Sequence, residues 1–114
     1  MEALVLAHTA VDAAAEKLAA DIVLLDLRKL VSFTDYFVIC SGASKRQLNA
    51  IADEVELTLR KKRVLPHHRE GAQESGWVLL DYGDVVVHIF DEEQRAFYDL
   101  EAVWPEAPAL VRMA

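Results

Sequence analysis

Over residues 3–19 the apolar positions Leu4, Val11, Ala14, Ala15 and Leu18 recur at spacings of about three and four, among Glu2, Asp12, Glu16 and Lys17. That period gathers them on one stripe and predicts an amphipathic helix across the segment. After Asp21 the run IVLLDL is short, apolar and rich in branched residues, as a strand buried on both faces is, and it should end near Leu27. The connector RKLVSFTD leads to a second such run, YFVICSG, with a strand predicted over residues 36–41. Gly42 breaks the extended chain there. Ser44 followed three residues later by Gln47 is a capping-box pattern, and Leu48, Ile51, Ala52, Val55 and Leu59 then line one face of the helix it starts.

The C-terminal half alternates differently. Pro66 lacks a backbone donor, which makes VLPHHREG an edge strand or a loop, and GAQESG reads as a connector. WVLLD and VVVHIF flank the short polar turn DYGD, where Gly83 is free to take positive φ, so the stretch is a predicted hairpin. Asp91 with Glu92 and Glu93 supplies an N-cap and negative charge for a third helix running to about Leu100. Beyond Trp104, Pro105 and Pro108 oppose helix continuation and suggest a partly ordered tail.

The order of elements predicts one α/β domain over residues 1–104, a mixed β-sheet flanked by about three helices, followed by a tail at 105–114. In the hairpin Val85, Val87 and Ile89 alternate with Val86, His88 and Phe90, so both sheet faces are apolar. Three helices of modest length leave part of one face uncovered, and such a face is a candidate interaction surface.

With 114 residues and 54% hydrophobic composition the chain supports one core without staples. Its formal charge of -7 argues against DNA or any nonspecific hold on phosphate backbones. Lys45, Arg46 and the basic run 60–63 mark the ends of the second helix, where solubility and the helix dipole account for most of them. Cys40, the single cysteine, lies in an apolar run, which fits a reducing compartment and a core position. The N-terminal stretch has no basic leader and no apolar run of membrane-spanning length, so the cytoplasm and no membrane are expected.

Enzymatic patterns are weak. VICSGASKRQL places a glycine turn before a helix, yet it lacks both the Walker ending and the spaced glycines of a dinucleotide site. Asp26, Asp81 and Asp84 are the carboxylates that a two-metal site would draw on, but Asp81 and Asp84 bracket a turn, where aspartate serves backbone donors. His67 and His68 are adjacent and face opposite ways in a strand, while His8 and His88 are remote from them. No catalytic, cofactor-binding or metal-binding residue is expected. Trp77, Tyr82, Phe90, Tyr98 and Trp104 instead concentrate aromatic surface, which serves either core packing or a protein interface.

DYFVICSGASKRQ at residues 35–47 and EGAQESGWVLLDYGDVVVHIFDEEQRAFYDLEAVW at residues 70–104 closely resemble the ribosomal silencing factor family, RsfS or Iojap. The most specific pieces are GW-x-x-x-D-x-GDVVVH and R-x-FYDLE-x-x-W, on Trp77, Asp81, Gly83, Asp84, His88, Arg95, Tyr98, Leu100, Glu101 and Trp104. The resemblance implies a fold similar to the nucleotidyltransferase-like one. It also implies a non-enzymatic translation factor that binds the large ribosomal subunit through ribosomal protein fourteen and blocks joining of the small subunit. On this reading Trp77, Leu79 and Leu80 offer apolar area, Tyr82, His88 and Tyr98 add polar tips, and Asp81, Asp84 and Glu101 complement a basic protein. VLPHHREG and the extension after Trp104 depart from the family pattern, which leaves dimer contacts through the edge strand open. A homodimer off the ribosome, a generic homodimeric adaptor and a metal-dependent nucleotidyltransferase-like enzyme remain the alternatives.

Overall fold

The computed structural model describes residues 1–71 and 73–114, so that Ala72, in the expected connector, lies outside the described residues. The elements in chain order are α1 (Ala3–Glu16), β1 (Ala20–Asp26), β2 (Tyr36–Gly42), α2 (Lys45–Lys61), β3 (His68–Glu70), β4 (Trp77–Asp81), β5 (Val85–Asp91), α3 (Glu92–Tyr98), α4 (Leu100–Val103) and β6 (Ala109–Met113), with a 3₁₀ turn at Gln73–Ser75 before β4. No helix among the described residues is long and apolar enough to cross a membrane.

The strands form one sheet in the order β3-β4-β5-β2-β1-β6. Only β2 and β5 run parallel, with Ile39 beside His88, and the other pairs are antiparallel, so the sheet is mixed as expected. Helices α1 and α2 cover one face over Ile22, Leu24, Val38, Cys40, Val78, Leu80, Val87 and Ile89. Every residue of the predicted apolar stripe of α2 is buried there. The other face carries Val23, Leu25, Phe37, Ile39, Val86 and Phe90 with Trp77 and Leu79 beside them, and is roofed by Leu100 and Trp104.

Local chemistry explains most of the boundaries. Ser44 Oγ accepts from the Gln47 N–H at 3.1 Å and starts α2. The Gln47 side chain accepts from the Ala43 N–H and donates to the Lys17 and Leu18 carbonyls, so it also ties the end of α1 to the start of α2. The first helix stops at Glu16, short of the predicted Ala19, because Leu18 turns left-handed at φ 61° and the Ala19 N–H closes back on the Ala14 carbonyl. Arg63, at φ 65°, ends α2 the same way, with Val64 donating to Leu59. Asp91 Oδ1 caps α3 through the Gln94 N–H at 2.7 Å.

Two expectations are corrected. The third helix is broken at Asp99, which is left-handed at φ 44°, and resumes as the short α4. The tail expected to be partly ordered forms β6, which pairs with β1 from Ile22 against Met113 to Leu25 against Ala109. Pairing with a buried strand supplies the backbone partners that the sequence of this segment alone does not announce.

Candidate functional site

Alternation along β4 divides the hairpin residues between the two faces. Val78 and Leu80 point to the helix-covered side, while Trp77 and Leu79 point to the side without α1 and α2. Across the β4–β5 ladder Trp77 lies opposite Phe90 and Leu79 opposite His88, so these four share one patch. The Trp77 indole stacks on Phe90 with centroids 5.0 Å apart and meets the Tyr98 ring at 4.6 Å. Tyr98, at the end of α3, is 43% exposed, and Phe97 beside it is 75% exposed. Together Glu70, Gly71, Ser75, Trp77, Leu79 and Tyr98 line an open groove along the β3–β4 edge.

Beneath this surface His88 is buried at 4% exposure and its Nδ1 accepts from Trp77 Nε1–H at 3.2 Å. Burial away from water lowers its pKa to about 4, so it is neutral at physiological pH. The indole nitrogen is a donor only, hence Nδ1 is bare and the proton sits on Nε2. Phe37 lies edge-on to the imidazole at 4.4 Å and itself meets Trp104 at 5.5 Å, continuing the aromatic layer.

Arg95 anchors the helical part of this face. Its guanidinium donates to the Asp21 carbonyl at 2.6 Å, to Ser41 Oγ at 2.9 Å and to Glu101 at 3.2 Å. It therefore joins α3 and α4 to the neighbouring ends of β1 and β2.

The structure brings together Trp77, Leu79 and Tyr98 of the expected surface and separates the others from it. Leu80 is fully buried, packed under α1 and α2, and offers no area to a partner. Tyr82 is on that same covered side, and its hydroxyl is buried without a partner among the described residues. His88 is buried under Trp77, and among the described residues its side chain hydrogen-bonds only as an acceptor, so it is not a polar tip at the surface. The carboxylates do not cluster either. Asp81 Oδ1 accepts from the Gly83 N–H at 2.7 Å in the turn, Glu101 pairs with Arg95, and Asp84 is exposed at the turn. Asp26, the last residue of β1, pairs with Arg28, three strand spacings or about 14 Å from β4. Three carboxylates so placed do not converge on a shared cation. Cys40 is buried in the core as expected, and desolvation raises its thiol to about 12.

Phe97, Phe33 and Phe37 were not among the expected aromatics, while Trp104, expected to serve core packing or an interface, meets Phe33 and Phe37 in the aromatic layer. The spacing of Phe97, Leu100 and Trp104 is a helical period that marks a roof on the sheet, but it does not reveal that Phe97 points outward.

A family model described as "Ribosomal silencing factor during starvation" matches residues 1–113. The chain belongs to the ribosomal silencing factor family. A ribosomal silencing factor of Halalkalibacterium halodurans is 38% identical over 105 residues, covering 92% of this chain and 90% of its own. The factor of Bacillus subtilis is 42% identical over 93 residues, covering 82% and 79%. A crystal structure of a Chromobacterium violaceum protein superimposes with a TM-score of 0.88 at 34% identity, covering all of this chain and 97% of that one. The family match includes β6, which agrees with that strand being part of the fold.

The residues that carry the family motif take several separate jobs in this member. Gly83, at φ 84°, makes the hairpin turn, and an added Cβ there meets the His67 ring at 2.9 Å. Arg95 pins the roof, and Leu100 and Trp104 pack from it onto the sheet. Of the motif aromatics Phe97 and Tyr98 are exposed, and Trp77 and Trp104 are half-buried.

Proposed function

We propose that this family member silences translation by docking on the large ribosomal subunit through its ribosomal protein fourteen and sterically keeping the small subunit from joining. The observation that carries this reading is the Trp77–Tyr98 pair on the sheet face that lacks α1 and α2, with Leu79 beside it along the groove. Large aromatics at the rim of an apolar layer are the usual anchors of a protein interface. The formal charge of -7 favours a basic protein as the partner and disfavours nonspecific adhesion to RNA. Asp84, exposed at the hairpin turn, serves encounter and orientation on this reading, whereas Glu101 acts through its pairing with Arg95. The mechanism breaks no bond, so the degree of silencing follows affinity and occupancy. The cytoplasm is the compartment this reading requires.

Cosedimentation with isolated large subunits, small subunits and joined ribosomes tests it, alongside binding to isolated protein fourteen. The intact chain should bind large subunits selectively and reduce joining, and the folded double variant Trp77→Ala, Tyr98→Ala should do neither. Large subunits left bare by the intact chain would end this reading.

A further inference from the structure

His88 sets a problem of chemistry. Its Nε2–H is buried and meets no hydrogen-bond acceptor among the described residues. Around it stand the rings of Phe37 at 4.4 Å, Trp77 at 5.8 Å and Phe90 at 6.1 Å. An orphaned buried donor destabilises a protein, and a phenylalanine in the same pocket would pack without one. Stability therefore does not explain a histidine here. What the imidazole supplies and a phenyl ring lacks is the bare Nδ1, held 3.2 Å from the indole nitrogen of Trp77.

We infer that His88 is a positioning residue that fixes the rotamer of Trp77, so that the indole presents its ring to the partner and its N–H to the interior. This rests on the surface proposed above. Trp77 is half-buried, and its ring is the shared neighbour of Phe90 below and Tyr98 above. An indole whose N–H has an internal acceptor stays down on Phe90. Without that acceptor the N–H is satisfied only by water, and the ring turns outward and takes Tyr98 out of register with it. An interface whose anchors are already in place loses less side-chain freedom on binding, so the acceptor beneath Trp77 acts on affinity without touching the partner.

The test compares the wild type with His88→Phe, which keeps a flat aromatic ring and removes the acceptor, and His88→Asn, whose side-chain oxygen can reach the place of Nδ1. Large-subunit binding is measured for each. The indole N–H resonance of Trp77, assigned in a Trp104→Phe background, is followed in parallel. We expect His88→Phe to melt at or above the wild-type temperature, to bind large subunits about tenfold more weakly, and to move the Trp77 signal to the position of a water-exposed indole. His88→Asn should retain the wild-type signal and bind within about threefold. Equal binding by His88→Phe, or an equally large loss in a folded His88→Asn, would overturn the inference. Should the wild type itself fail to bind large subunits, the docking proposal falls. A wild-type indole signal already at the solvent position would sink the His88 inference separately.

Discussion

Leu79 and Leu80 are neighbours in the chain and lie on opposite faces of the sheet: Leu79 lines the open groove beside Trp77, while Leu80 is buried beneath the helices. Their truncations should therefore separate stability from binding. Leu80→Ala should lower unfolding free energy by about 2–5 kcal/mol, the range for emptying a closed core site. Leu79→Ala should cost less than half of that in urea titration, yet weaken large-subunit binding in cosedimentation more than Leu80→Ala does in its folded fraction.

His88 makes stability depend on pH. Its folded pKa of about 4 lies below the ordinary 6.5, so between these values the unfolded chain binds a proton that the folded chain refuses. Stability is then full above about pH 6.5, declines as pH falls toward 4, and loses roughly 3 kcal/mol at most from this group. Urea unfolding of the wild type and His88→Phe at intervals from pH 7.5 to 4.5 should show the gap between them widening in favour of the variant as pH drops.

Arg95 holds the roof through its bonds to Asp21, Ser41 and Glu101. Arg95→Gln removes the charged fork and leaves Glu101 part-buried without its cation, which should cost about 2 kcal/mol. Limited proteolysis should then cut first within residues 92–103, and Tyr98 should lose its fixed place against Trp77.

Both long helices end on a left-handed residue with a side chain, Leu18 at φ 61° and Arg63 at φ 65°. Glycine adopts that conformation without the Cβ penalty. Arg63→Gly should raise stability by about 0.5–1 kcal/mol in thermal or urea unfolding.

The elements with a strong local signature were legible in the sequence. The stripe Leu48, Ile51, Ala52, Val55 and Leu59 is buried as its period demands, and Ser44 caps the helix it precedes. The hairpin turn could be read because Gly83 and Asp81 have local reasons to be there. Elements that depend on distant partners were not. ALVRM becomes a strand only because β1 lies beside it, and no pattern within those residues carries that information. Asp99 breaks α3 from α4 through a left-handed backbone that aspartate tolerates without advertising it.

At the site, the motif marks the hairpin and helix that carry the Trp77–Tyr98 pair, but not the role of each residue within them. Period-two alternation already sets Leu79 against Leu80, so placing both on one surface went against the strand's own geometry. His88 sits on the same face as Leu79, and only the depth of the aromatic layer above it reveals that it lies inside. Its acceptor role toward Trp77 needs the diagonal contact between the strands, which sequence spacing cannot supply.

The pairing of β6 with β1 also bears on how the chain is made. During synthesis α1, β1, β2 and α2 leave the ribosome first, but the outer edge of β1 waits for residues 109–113, which follow all the other strands. Until then the nascent domain displays an apolar strand edge able to recruit another chain. A message truncated just after Trp104 would yield a product with that edge permanently open, prone to aggregate even though every other strand of the sheet is present.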